Sequence, residues 1–234
     1  MATKEDFDKR NIIESISELW ELLSPTEQEY LMENIRITCL HKNEIIYQTN
    51  EYPQFLMCLL KGKVKIHMDG VGGRDQIIRL INRKGLFGFR AAFAGEKYLN
   101  AASAFEDSVI CMIPINVIKK LIVRNTALAI YFIKQLSTML GIADVRTVNL
   151  TQKHIRARLA ESLLSLKEKY GVNKDTLTLD ISMSREDLAN LSNMTTSNAI
   201  RTLSSFAQEN IIAIDGKKIK IIDDEKLRNI SEMG

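Results

Sequence analysis

Histidine and cysteine are both scarce in this chain, with three of each in 234 residues. The cysteines, Cys39, Cys58 and Cys111, are widely spaced, odd in number and form no C-x-x-C pair. This excludes a zinc-ribbon arrangement and a disulfide framework and fits a reducing cytoplasm. So few histidines leave little material for acid–base chemistry. No Ser-His-Asp or Cys-His arrangement, P-loop or metal motif stands out. The chain is therefore read as a non-enzyme, with no catalytic and no metal-binding residue assigned. The first residues, MATKEDFDKR, are charged throughout, unlike a signal peptide. No apolar run approaches the roughly 20 residues of a membrane helix, so no membrane partner is expected. A strong charge of one sign is also missing: the net charge is +3. From His154 to Ile222, 10 basic residues meet 8 acidic ones, a balance of +2. A nucleic-acid footprint would have to come from placement of charge rather than from its bulk.

What is present suggests two modest domains. In MTTSNAIRTLSSF, Ala199, Leu203 and Phe206 recur at helical spacing and form one apolar face. Thr195 is an N-cap, and Met194 before it can staple against Ala199. Thr196, Ser197, Asn198, Arg201 and Ser204 point elsewhere, near a helix N-terminus whose free N–H groups favour phosphate. Just upstream, SMSREDLANLSNM repeats the pattern, with Ser184 as N-cap, Asp187 three residues on, and Leu188 and Leu191 on the buried face. Asn193, between the two, suits the left-handed conformation of a tight turn. Two short helices joined this way have the shape of a helix-turn-helix. Downstream, NIIAIDGKKIKII places two β-prone runs around Asp215-Gly216, a hairpin dipeptide. Upstream, TLTLDI alternates like a short strand. The set reads as a winged helix. Lys217, Lys218 and Lys220 cluster on the wing, and Arg185 and Arg201 lie on the two helices.

The N-terminal half begins with a capping box, Ser24 to Glu27, carrying Pro25 at the first helical position of a helix through about Ile35. From about Thr38 to Ile113, short β-prone runs such as CLLKGKVKIHM, RDQIIRLI and SVICMI alternate with turn segments such as DGVGG and NRKGLFG. Many short strands with frequent turns suggest a sandwich, roll or barrel. After Pro114 the chain turns helical for about 35 residues. There Ile133, Leu136, Leu140 and Ala143 recur with a three-four spacing, the seam of a dimerising helix. KHIRARLAESLLSLKEKYG then reads as an amphipathic helix ending at Gly171.

This order of parts resembles the CRP/FNR family of bacterial transcription regulators over nearly the whole chain. The segments LLKGKVKIHM, GLFGFRAAFAGEKYLNAASAFEDS and SREDLANLSNMTTSNAIRTLSSFAQENIIAIDGKKIKIID carry the resemblance. It implies an α+β fold: an N-terminal β-roll (cupin-like, cyclic-nucleotide-binding-like) with flanking helices, a long dimerisation helix, and a C-terminal winged helix-turn-helix. The expected divisions are 1–115, 116–150 and 151–234. It also implies a cytoplasmic homodimer that binds double-stranded DNA at a pseudo-palindromic operator, with RNA polymerase as a further candidate partner. Arg201, Ser197, Thr196 and Asn198 would face bases, Thr195 would open their helix, and Arg185, Lys217 and Lys218 would hold phosphates. Arg201 matches the family's guanine-reading Arg; the position of its Glu is Ser197, so a different operator is expected.

The second segment takes the place of the cyclic-nucleotide phosphate-binding cassette, giving Phe87, Gly88, Phe89, Arg90, Leu99 and Asn100 as the effector pocket. The family's Glu for the ribose hydroxyl and Arg-Ser pair for the cyclic phosphate are here Phe89, Leu99 and Asn100, so cAMP is not expected. The N-terminal cysteine cluster of iron–sulfur members is missing, so that cofactor is not expected. Haem stays open, because His41, His67, Met57, Met68 and Cys58 all lie in the sensor half. A different small ligand, or none, also stays open. So does the choice between pocket and core for Phe87, Phe89, Phe93 and Tyr98. The alternatives are a haem-based gas or redox sensor of the same family and a ligand-binding module that does not regulate DNA.

Overall fold

The computed structural model describes residues 9–70 and 75–233. The DGVGG turn segment lies largely outside them, as does most of the charged N-terminus. The chain forms two compact units, one of residues 1–69 with 78–141 and one of 70–77 with 142–234, so the divisions fall inside a helix and inside the strand Asp75–Ile81, which is described with the first unit.

The first unit opens with α1 (Lys9–Ser15), α2 (Ser17–Trp20) and α3 (Pro25–Asn34). The capping box forms as its sequence requires: Ser24 Oγ accepts from the Glu27 N–H, and the Glu27 carboxylate accepts from the Ser24 N–H at 2.8 Å. That backbone bond is the main reason the Glu27 pKa falls below its usual value. The strands are β1 (Arg36–Leu40), β2 (Ile45–Tyr47), β3 (Phe55–Lys61), β4 (Val64–Asp69), β5 (Asp75–Ile81), β6 (Leu86–Phe87), β7 (Ala101–Ala104) and β8 (Ser108–Pro114). The short helix α4 (Phe89–Ala94) lies between β6 and β7. They make two four-stranded sheets, β1-β8-β3-β6 and β2-β7-β4-β5.

The unbroken apolar run of β3 follows from burial of both its faces. Met57 and Leu59 join Tyr47, Val64, Ile66, Phe87 and Ile110 in one core cluster. Leu56, Cys58 and Leu60 turn the other way and pack with Leu19, Leu31, Ile118, Leu128 and Phe132 from the helices. β8 repeats this division, with Ile110 in the first cluster and Val109, Cys111 and Ile113 in the second.

The helical stretch after Pro114 is two helices, α5 (Ile115–Arg124) and α6 (Thr126–Gln152), rather than one. Asn125 takes an extended conformation between them, and its Oδ1 accepts from the Leu128 N–H at 3.0 Å, capping the second helix. The expected seam also divides. Leu136 is half-buried against the core that holds Leu128 and Phe132, because these three follow at i, i+4 and i+8. Ala143 continues that side and is exposed. Ile133 and Leu140 stand on the open side, 62% and 65% exposed, with Ile130, Val145 and Val148. One expectation is corrected here. Although no single run is unbroken, an 18-residue window of α6 has a mean hydropathy of 1.3, so by length and composition this helix could cross a membrane. The cause is that α6 is apolar on two sides, one turned to the core and one to the surface.

The second unit contains α7 (Ile155–Tyr170), α8 (Arg185–Leu191), α9 (Thr196–Gln208), β9 (Ile212–Asp215), β10 (Lys218–Ile221) and α10 (Asp224–Glu232). TLTLDI does not form the expected strand; only Leu179 bridges, to Val172. Asn173 Oδ1 accepts from the N–H groups of Asp175 and Thr176, and Leu177 is left-handed at φ +56°, which breaks the alternation. The hairpin pairs Asp215 with Lys218, so its turn residues are Gly216 and Lys217, one position later than expected.

Candidate DNA interface and effector cavity

Helix α8 starts where Ser184 caps it: the Asp187 N–H donates to Ser184 Oγ at 3.0 Å, and the Asp187 carboxylate accepts from the Ser184 N–H at 3.3 Å. The turn Ser192–Met194 follows, with Asn193 at φ +52°. Thr195 then caps α9 by accepting from the Asn198 N–H at 3.2 Å. Ala199, Leu203 and Phe206 are buried. Ser197, Arg201, Ser204 and Gln208 are exposed and, at i, i+4, i+7 and i+11, share the opposite face. Asn198 Oδ1 accepts from Arg201 Nη2, so the two polar groups sit together. No acidic residue lies in the first turn of α9, so its N-terminal dipole faces outward uncancelled.

Two arginines of α7, for which the sequence carries no local signal, hold this assembly. Arg158 donates to the carbonyls of Ser192 at 3.2 Å and Asn193 at 3.1 Å, and also to Lys153 at 3.0 Å. It thus fixes the turn between α8 and α9. Arg156 donates to Ser205 Oγ at 2.7 Å and to Glu209, and lies 4.7 Å from the Phe206 ring centroid. Both act across more than thirty residues of sequence, beyond any spacing rule.

Lys217 and Lys218 are exposed on the wing, beside a turn that Gly216 makes at φ +55°. Arg185 is already engaged: its Nη2 donates to the Gly216 carbonyl at 2.9 Å, bracing the wing against α8. Thr195, Thr196 and Ser197 are exposed and Asn198 half-buried.

The roll holds a small cavity of about 30 Å³, lined by Tyr47, Arg79, Gly88, Arg90, Tyr98 and Asn100, with Phe89 and Met139 among its walls. Gly88 caps α4 at φ +85°; a Cβ there would stand 2.3 Å from Met57 Cε and 3.0 Å from the Phe55 carbonyl. Tyr47 donates to Asn100 Oδ1 at 3.3 Å and Tyr98 to the Gly88 carbonyl at 3.1 Å. Burial pushes the Tyr47 hydroxyl up to about 12, with Arg79 and Arg90 pulling it partly back. Burial also lowers the Arg79 pKa, and Arg90 adds to that. Of the expected pocket residues, Gly88, Phe89, Arg90 and Asn100 meet at this cavity. Phe87 sits in the core between the sheets, and Leu99 is 55% exposed and does not line it. Tyr47 and Arg79 join from β2 and β5, far from the cassette segment. Phe89 and Phe93 pack on Phe132 of α6 with ring centroids 5.5 and 5.0 Å away.

Known proteins share this architecture. The sequence model of the Crp-like helix-turn-helix domain matches residues 157–230, and that of the cyclic nucleotide-binding domain matches 37–125. The anaerobic regulatory protein of Bacillus subtilis is 24% identical over 201 residues, 85% of this chain and 81% of its own. Among solved structures, FixK2 from Bradyrhizobium japonicum has a TM-score of 0.76 at 21% identity, covering 84% of this chain and 96% of its own. A CRP/FNR-family transcriptional regulator from Thermus thermophilus has a TM-score of 0.70 at 22% identity, covering 84% and 98%.

The chain belongs to the CRP/FNR family of DNA-binding transcription regulators. Within that family its cavity does not fit a cyclic nucleotide. Its volume is about that of one water molecule. Where other members of the family carry a Glu for the ribose stands buried Phe89, and where they carry an Arg-Ser pair for the phosphate stand exposed Leu99 and half-buried Asn100. The residues that kept haem open have different surroundings, and Met68 is 37% exposed. Met57 and Cys58 face opposite sides of β3, and His41 lies at the surface 3.9 Å from Asp107. His67 Nε2 lies 3.4 Å from Ser103 Oγ on the neighbouring strand.

Proposed function

We propose that the protein is a homodimeric, sequence-specific transcription regulator whose α9 enters the major groove of each half-site. The carrying observation is the outward face of α9. It combines Ser197 and Arg201, an uncancelled helix N-terminus and a neighbouring wing that bears Lys217 and Lys218. Arg201 would meet guanine O6 and N7, while Ser197, Thr196 and Asn198 face neighbouring bases, next to the Thr195 cap. Lys217 and Lys218 would meet phosphates; Arg185, whose Nη2 is bonded to Gly216 and whose Nη1 is buried, would do so only by giving up that bond. Ile130, Ile133, Leu140, Val145 and Val148 give α6 an apolar surface that a second copy covers, which also accounts for its membrane-like composition. Two-fold symmetry then sets half-site centres about 34–36 Å apart.

The roll is read as the effector domain, with an effector other than cAMP. A ligand at Gly88–Arg90 would act on α6 through the contact of Phe89 with Phe132, shifting a pre-existing equilibrium between two dimer states. Action on transcription in the cytoplasm, through RNA polymerase, belongs to the same reading. The test is selection of binding sites from random duplex DNA by the purified full-length protein. A two-fold symmetric consensus whose selectivity at one base pair disappears in Arg201→Ala supports the reading. Binding without sequence preference overturns it.

A further inference from the structure

Among the side chains that α9 turns to solvent, Ile200 is the one large apolar group, 46% exposed. Its exposed neighbours on the helix surface, one turn away on either side, are Thr196, Ser197 and Ser204. Asn198 and Arg201 occupy the other flank of the same face and are bonded to each other. The face therefore has two chemically distinct edges. One carries a guanidinium and an amide; the other carries a branched hydrocarbon among hydroxyl side chains too short to shield it.

A polar or charged base edge offers nothing to the side chain of Ile200. In the major groove the apolar feature a base pair presents is the C5-methyl group of thymine. We propose that Ile200 is a specificity-determining residue that selects a thymine in each half-site by packing on its methyl group. This rests on the reading of α9 as the base-facing helix. Ser197, three residues before Ile200 and four before Arg201, lies between the two readers. The thymine therefore belongs to a base pair close to the guanine that Arg201 reads, on the Ser204 side of it. The contact needs no charge, so it adds selectivity without steepening the salt dependence of binding.

The experiment starts from the operator selected from random DNA by the full-length protein. Each thymine of one half-site is replaced in turn by deoxyuridine, which removes a single methyl group and leaves every hydrogen-bonding edge intact. One position is expected to weaken binding about fourfold, the equivalent of the ~0.8 kcal/mol gained by burying one such carbon. In Ile200→Ala the same substitution should change affinity little, while the guanine preference due to Arg201 is retained, which also shows that the variant is folded. Ile200→Val, which keeps a branched surface, should preserve most of the methyl dependence. The proposal is overturned if no thymine is methyl-sensitive, or if the sensitivity is undiminished in Ile200→Ala. A selection that returns no sequence preference at all fails earlier and overturns the base-facing role of α9 itself.

Discussion

The rings of Tyr47 and Tyr98 stack with centroids 3.7 Å apart and planes inclined by 15°, and both line the cavity of the roll. Both hydroxyls are tied, to Asn100 and to the Gly88 carbonyl. A ligand that filled this cavity would lie against the stack.

The stack makes the first unit sensitive to alkali. Burial disfavours the tyrosinate form of both rings, raising Tyr47 from 10.0 to about 12 and Tyr98 further, where the neighbouring Tyr47 and Glu51 add to the burial effect. A raised folded-state pKa means that the folded form holds its proton more tightly than the unfolded chain. That stabilisation is complete below about pH 10 and is lost as the pH rises through about 12. Denaturant unfolding at increasing pH should show a loss of stability across this window, together with a rise in tyrosinate absorbance. Tyr47→Phe should reduce the slope, at the cost of the Asn100 bond. A stability that does not change with pH between 10 and 12 would contradict the burial of the pair.

Arg201 and Lys217 should fail in different ways. Arg201→Ala is expected to cost roughly 1–3 kcal/mol on the selected operator and to relax one base position, leaving binding to unrelated DNA nearly unchanged. Lys217→Ala should weaken binding to all sequences alike and lower the salt slope by about one. Titrations at several salt concentrations, on operator and on random duplex, separate the two. The same pattern from both variants would rule out the division into base and phosphate contacts.

The parts of the fold that are legible in the sequence are those set by neighbours three or four residues apart. Ser24 with Glu27, Ser184 with Asp187, Thr195 before α9 and the left-handed Asn193 are local chemistry, and each forms as read. The buried face of α9 follows from the same short range. What is not legible depends on contacts distant in sequence. Arg158 meets Ser192 and Asn193 from 34 and 35 residues away, and Tyr47 reaches Asn100 from 53. Leu136 fits a three-four seam as well as Ile133 does; only the core behind Phe132 decides which way each faces. The Asn125 break escapes a sequence reading because its cap lies within an otherwise helical run. Helix α10 has a readable start, with Asp223 accepting from the Lys226 N–H and Asp224 and Glu225 in the first turn.

Gly62, between β3 and β4, is a sharper test of the roll than any core residue. It adopts φ +87°, and a Cβ there would lie 2.5 Å from the Asp107 carbonyl oxygen and 2.8 Å from the Ser108 Cα. These are backbone atoms that cannot rotate aside. Gly62→Ala should therefore cost roughly 2–5 kcal/mol, combining left-handed strain with overpacking. Gly88→Ala should cost less, roughly 1–3 kcal/mol, because its tightest clash is with the flexible end of Met57. Trp20 is the single tryptophan and is packed against the helical core of this unit, so its fluorescence during urea unfolding reports both values. Equal stability of the two variants would refute the ranking.

The two sides of α6 require opposite outcomes from two substitutions only three residues apart. Ile133 is exposed on the face assigned to the second copy, so Ile133→Asp should leave each subunit folded and separate the dimer. Sedimentation should then give the 26.6 kDa of one chain in place of twice that mass. Leu136 packs on the core of its own unit, and Leu136→Ala should leave the sedimenting mass unchanged while lowering the unfolding midpoint by the equivalent of roughly 1–2 kcal/mol. If Ile133→Asp remained dimeric, the apolar side of α6 would need another cover. If Leu136→Ala dissociated the dimer without loss of subunit stability, the seam would run along the face that now packs on Phe132.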